Sequence, residues 1–120
     1  MKKVLIIDDE EYFCRALKKN LELKTVCRAL AATTGAEGIR LARTEKPDLI
    51  LLDIMMPGMD GTDVAEALLA DPATSSIPII FVTAIINKED VRRNAGQIGG
   101  RTFIAKPVKI EDLIKRINAL

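Results

Sequence analysis

Three segments, Val4-Leu5-Ile6-Ile7, Leu49-Ile50-Leu51-Leu52 and Ile79-Ile80-Phe81-Val82, are unbroken apolar runs without the alternation of a half-solvated strand. Strands of this kind are covered on both faces, which means helices above and below a parallel sheet. A fourth run, Thr102-Phe103-Ile104-Ala105, and a weaker strand at about 26 to 32 complete the set, and the polar Arg28 marks the weaker one as an edge. Between the runs the period becomes helical. Residues 10 to 23 place Phe13, Ala16, Leu17, Asn20 and Leu21 near one face, and residues 36 to 45 follow Gly35 and stop before Pro47. Residues 62 to 70 contribute Val64, Ala65, Leu68 and Leu69 and are stopped by Pro72. A short polar helix is expected over 87 to 97, and a last one over 110 to 119, where Ile110, Leu113, Ile114 and Ile117 keep i, i+3, i+4, i+7 spacing. Strand and helix alternate throughout, with no repeat, linker or low-complexity tract. Five strands and five helices with right-handed connections predict one α/β domain over residues 1–120, a doubly wound parallel sheet.

Each run ends in chemistry. The first leads into Asp8-Asp9-Glu10, and the run at 49–52 into Asp53, with Met56-Pro57, Gly58 and Gly61 turning the chain behind it. The run at 79–82 ends in Thr83-Ala84, and the one at 102–105 in Lys106-Pro107. Ligands of open parallel sheets bind beyond the carboxyl ends of the strands, near the point where strand order reverses, so acids, hydroxyl and amine would meet there. Two carboxylates about 4 Å apart repel by roughly 4 kcal/mol at an effective dielectric near 20, so Asp8, Asp9 and Asp53 need a compensating cation. All-oxygen ligands favour a hard divalent ion, Mg2+ first, with Mn2+ the alternative. An isolated Asp at a strand end is an ordinary helix cap, and an isolated Lys there an ordinary solvated residue. The coincidence of four strand ends argues for one site.

Composition excludes several classes. The chain has 120 residues, 48% hydrophobic, with 18 basic and 17 acidic side chains, so no net field favours nucleic acid or an acidic membrane. The absence of histidine removes imidazole catalysis and the usual zinc sites. Cys14 and Cys27, in an expected helix and an expected strand, read as reduced, packed thiols. Residues 1 to 7 lack a signal-peptide plan, and no apolar stretch approaches the roughly 18 residues that span a bilayer, so a soluble, cytoplasmic protein is expected.

Taken together, Asp8-Asp9, the segment Asp53-Ile54-Met55-Met56-Pro57-Gly58-Met59-Asp60-Gly61, Thr83-Ala84 and Lys106-Pro107 resemble the receiver domain of bacterial response regulators, over the whole chain. The resemblance implies a flavodoxin-like sheet of order 2-1-3-4-5, which sets strands 1 and 3 side by side. It implies that Asp53 is the phosphoacceptor, taking a phosphoryl group from a phosphohistidine on a sensor histidine kinase or phosphotransfer protein. Carboxylates that form aspartyl phosphates are an established class of nucleophile. Asp9 would ligate Mg2+ directly, Asp8 partly through water, Asp53 and the Met55 backbone carbonyl completing the protein's share. Lys106 would pair with Asp53 before reaction and with a phosphoryl oxygen afterwards, while the Thr83 hydroxyl and the Ala84 N–H bind another. Thr83 and Phe103 take the places of the family's switch pair; being Phe rather than Tyr, Phe103 has no hydroxyl to fix its rotamer, and the alternative for it is plain core packing. The Lys106-Pro107 bond is commonly cis in such proteins. Met55 and Ile85 fall at the site rim, where two apolar side chains would hinder hydrolytic water.

Other classes share parts of this pattern. A phosphohydrolase of the haloacid dehalogenase type uses an Asp nucleophile, Mg2+, a Thr and a Lys, but its motif resembles Asp-x-Asp, and here the second position after Asp53 is Met55. A flavodoxin-like cofactor binder carries a Ser/Thr/Gly-rich phosphate loop after strand 1, where this chain has three acids. The resemblance also implies a downstream protein target or self-dimer on the face formed by the helix at 87 to 97, the strand at 102 to 105 and the last helix. From residue 86 onward Lys88, Arg92, Arg93, Arg101, Lys106, Lys109, Lys115 and Arg116 outnumber Glu89, Asp90, Glu111 and Asp112. Such a face would be somewhat basic, and a solvated helical surface explains the excess equally well.

Overall fold

The computed structural model describes residues 1–84, 97–98 and 101–120. Its elements, in chain order, are β1 (Lys3–Ile7), α1 (Glu11–Lys24), β2 (Arg28–Ala32), α2 (Gly35–Glu45), β3 (Leu49–Leu52), α3 (Gly61–Ala70), β4 (Ile79–Thr83), β5 (Gln97–Ile98), β6 (Arg101–Ala105) and α4 (Ile110–Asn118). The sheet order is β2-β1-β3-β4-β6-β5. Five of these strands are parallel, and counted among themselves they run 2-1-3-4-5, as the resemblance implies. The short β5 adds an antiparallel pair to β6 that the sequence did not announce. Four helices stand among the described residues. The helix expected over 87 to 97 lies outside them, save that Gln97 belongs to β5.

Unbroken apolar runs do lie between two layers, because successive side chains of a strand point to opposite faces. On one face Val4, Ile6, Leu49, Leu51, Ile80, Val82 and Ile104 pack with Cys14, Leu17 and Leu21 of α1 and Leu113 and Ile117 of α4. On the other, Leu5, Ile7, Ile50, Leu52, Phe81 and Phe103 meet Ala42 of α2 and Val64, Ala65 and Leu68 of α3. Arg28 is exposed on the edge strand β2, as expected. Both cysteines are buried and unbridged.

Two helix faces differ from expectation. In α1 the buried stripe is Cys14, Leu17 and Leu21, with Phe13 partly covered, whereas Ala16 and Asn20 face outward. In α3 Leu69 is exposed, because Val64, Ala65 and Leu68 already fill the strip that α3 presents to the sheet. Helix boundaries follow local chemistry. Thr34 caps α2 through the Glu37 N–H, Lys46 ends it in the left-handed region at φ 47°, and Asp60 and Asp63 form a reciprocal capping box on α3.

Candidate functional site: an acid cluster and a lysine at the strand switch point

The chain leaves β1 outward to β2 and returns past it to β3, so the order reverses between the carboxyl ends of β1 and β3. The residue just beyond each strand still joins the ladder. Asp8 N–H donates to Ala32 O at 3.0 Å, Asp53 N–H to Ile7 O at 3.0 Å and Lys106 N–H to Thr83 O at 3.0 Å. The sheet thus fixes three reactive side chains through their own main chain. Gly61 seals the turn behind Asp53. Its N–H donates to Ile54 O at 2.8 Å, and a Cβ there would run into the Asp53 carbonyl oxygen and the Ile54 Cα. Gly58, at φ +73°, supplies the left-handed step in the same loop.

Asp9, Glu10, Asp53, Met55, Thr83, Ala84 and Lys106 line a cavity of about 200 Å3. Asp8 lies just beneath, 1% exposed; Asp53 is 5% exposed and Thr83 fully buried. One carboxylate oxygen each from Asp8, Glu10 and Asp53 falls within 4.8 Å of the others. The Lys106 ammonium donates to Asp8 Oδ2 at 2.8 Å and Glu10 Oε1 at 3.0 Å, and stands 3.7 Å from Asp53 Oδ2. It also lies 4.3 Å from the centre of the Phe13 ring, within cation–π range. Asp8 Oδ1 accepts from the Glu10 N–H at 2.9 Å, which shapes the turn into α1.

Burial and the neighbouring Asp8 charge push the Asp53 carboxyl up to about 6, although Lys106 and the Met55 N–H pull it the other way. For Lys106, burial opposes the charged form, but the hydrogen bonds to Asp8 and Glu10 prevail and the ammonium is held above the ordinary lysine value. Burial, then the Asp8 charge, lifts the Cys14 thiol to about 11, so it is not a nucleophile at neutral pH. The acid group repels itself and offers hard oxygen donors, which suits a divalent cation.

The structure therefore gathers Asp8, Asp9, Asp53, Met55, Thr83, Ala84 and Lys106 about one cavity. It adds Glu10, whose place in the run Asp8-Asp9-Glu10 was the available signal, and draws Lys106 closer to Asp8 and Glu10 than to Asp53. Asp9 is exposed at the wall. Met55 is 62% exposed at the rim, and Ile85 lies outside the described residues. Phe103 is buried, its ring stacked on Phe81 with centroids 5.2 Å apart. The Lys106-Pro107 bond is cis.

A doubly wound sheet that carries a carboxylate, a hydroxyl and a lysine at its switch point belongs with the proteins that handle phosphoryl groups. The response regulator receiver domain matches residues 4–118. Protein PilH of Pseudomonas aeruginosa is 41% identical over 120 residues, which cover 100% of this chain and 98% of PilH. Response regulator PleD of Caulobacter vibrioides is 35% identical over 118 residues, 98% of this chain but 26% of PleD, so the chain spans about a quarter of that relative. The crystal structure of a CheY-like response regulator receiver domain protein from Methanospirillum hungatei JF-1 has a TM-score of 0.81 at 30% identity, covering 99% of this chain and 92% of that one. The chain belongs to the response regulator receiver family. It is a phosphoacceptor module of two-component signalling rather than a conventional enzyme, and neither the haloacid dehalogenase nor the flavin-binding reading is favoured. Receiver domains work with sensor kinases or phosphotransfer proteins and with downstream targets. No helix among the described residues is long and apolar enough to cross a membrane.

Proposed function

We propose that Asp53 takes the phosphoryl group. An Asp53 carboxylate oxygen attacks phosphorus as the bond to the histidine nitrogen of the donor breaks, giving an acyl phosphate, and the released imidazole takes a proton from solvent. The observation that carries this reading is the setting of Asp53. It is almost fully buried, held by the β1 ladder, open to the cavity and flanked by Lys106, Thr83 and Ala84. Phosphoryl transfer asks chiefly for positioning and charge stabilisation, so no general base is needed. Lys106 stands close enough to Asp53 to exchange its carboxylate partners for a phosphoryl oxygen, and the Thr83 hydroxyl and Ala84 N–H serve another.

Asp8, Asp9, Asp53 and the Met55 carbonyl would hold Mg2+, or Mn2+, with Glu10 within reach of the same group. When bound, the cation neutralises charge on the phosphoryl oxygens. The same residues carry the return reaction, in which water removes the phosphoryl group. Residues 1–120 act as a single cytoplasmic receiver domain. They accept phosphate from a sensor histidine kinase or phosphotransfer protein, and they present β6, α4 and the segment around 87 to 97 to a protein target or a second copy, without direct contact to nucleic acid or membrane.

The test is incubation with Mg2+ and acetyl phosphate followed by mass spectrometry. The unmutated protein gains one phosphoryl group and Asp53→Asn gains none. Full labelling of Asp53→Asn would overturn the assignment.

A further inference from the structure

We infer that the Lys106 ammonium is the acid group's built-in counter-cation, and that a divalent cation entering the group must first displace it from Asp8 and Glu10. The inference rests on the cation-site reading above and adds an ordering to it. The three carboxylate oxygens that cluster within 4.8 Å include Asp8 and Glu10, the two residues on which Lys106 closes at 2.8 and 3.0 Å, and the ammonium stands 3.7 Å from Asp53 Oδ2. It therefore already holds one oxygen of Asp8 and one of Glu10, two of the three acids that cluster, and a second cation brought to the same carboxylates would be repelled.

The seat is built for the lysine. Glu10 occupies the N-cap position of α1 but makes no side-chain cap bond, its carboxylate being given to Lys106 instead. Phe13, one turn into the helix, sets its ring 4.3 Å from the ammonium. The Lys106 side chain is 12% exposed and that of Glu10 64%, so Glu10 is the partner that solvent can most readily replace. Phe13 is thus a positioning residue: it carries no charge, yet its ring adds to the hold on the competitor.

The experiment is calorimetric titration of MgCl2 into the unphosphorylated full chain at fixed ionic strength. Lys106→Met should bind Mg2+ at least about fivefold more tightly, with Lys106→Gln as a polar second variant. Phe13→Leu changes no charge and should tighten Mg2+ by about two- to fivefold, the scale of an exposed cation–π contact. That gain should vanish when Phe13→Leu is made in the Lys106→Met background. In a proton–nitrogen spectrum of lysine ammonium groups, the Lys106 signal should shift as MgCl2 is added. Equal affinity of the unmutated chain and both Lys106 variants overturns the competition, as does a Phe13→Leu effect that persists without Lys106. Absence of Mg2+ binding to the unmutated chain and to both Lys106 variants overturns the cation site and the competition together. Failure of Asp53 labelling with the competition intact overturns only the acceptor assignment.

Discussion

Phe103 stacks on Phe81, with centroids 5.2 Å apart and planes at 25°, so the aromatic of the β6 strand is packed inward against β4 in this structure. The two strands are in register, Phe81 opposite Phe103 and Thr83 opposite Ala105. On the proposed switch reading, a pull on Thr83 at the end of β4 would act on the strand against which Phe103 packs, and the energy available would be only the difference in contacts between the two states. Phosphorylation-dependent partner binding or dimerisation should weaken in Thr83→Ala while Asp53 still labels. An unchanged ratio of phosphorylated to unphosphorylated affinity in that variant would reduce Thr83 and Phe103 to packing.

Without metal, Asp53 is a charged group held where the neutral form is preferred. Its folded pKa of about 6 lies above the ordinary aspartate value of 3.8, so between those limits the folded state binds more protons than the unfolded one. This contribution is most favourable below about pH 4 and is lost as pH rises through about 6. In EDTA, Asp53→Asn should melt several degrees higher than the unmutated protein at pH 7.5 and show a much smaller gain at pH 4.5. A gap of the same size at both pH values would disconnect the effect from the carboxylate.

Mg2+ should raise the melting temperature of the unmutated chain, because a ligand bound only by the folded state adds RT ln(1 + [L]/Kd). Asp8→Asn, Asp9→Asn and Asp53→Asn should each blunt that rise. Coincident melts in EDTA and in millimolar-scale Mg2+ would mean the acids do not form one cation site.

Gly61 and Gly58 lie in the same loop but serve different needs, and alanine separates them. Gly61→Ala drives a methyl into the Asp53 carbonyl and should cost several kcal/mol or displace Asp53 enough to abolish labelling. Gly58→Ala has open space around it and pays only for its positive φ, about 1 kcal/mol. Urea denaturation of the two variants decides the order, and equal midpoints would remove the close approach as the reason for Gly61.

Signal lifetime tests the apolar rim. Met55 is exposed at the cavity edge and offers no side-chain donor to orient an attacking water. Phosphorylated protein should lose its phosphoryl group slowly, and Met55→Asn with Ile85→Glu should accelerate the loss. First-order decay of phospho-Asp53 is the measurement. Equal rates, or slower loss in the double variant, would defeat the shielding while leaving the acceptor intact.

The apolar runs of β1, β3 and β4 made the α/β class legible without a structure, since a strand with no polar face has only one kind of environment. The same reading located Asp8, Asp53, Thr83 and Lys106, because a residue that ends such a run must emerge at the sheet's carboxyl edge. Arg28 gave away the edge strand for the converse reason. The resemblance paired Lys106 with Asp53, and what it did not foresee was that Asp8 and Glu10 stand nearer to the ammonium. Asp8 and Asp53 are carboxylates just beyond strand ends and Glu10 is one at the N-cap of α1, and only the tertiary structure sets their distances from the ammonium at 2.8, 3.7 and 3.0 Å. The stripe of α1 shifted from Ala16 and Asn20 to Cys14 for a related cause. Helical period defines a set of angles, but the sheet it lands on chooses which angle is buried. Strand chemistry is thus local and readable, whereas the ordering of like charges around one cation is a property of three dimensions alone.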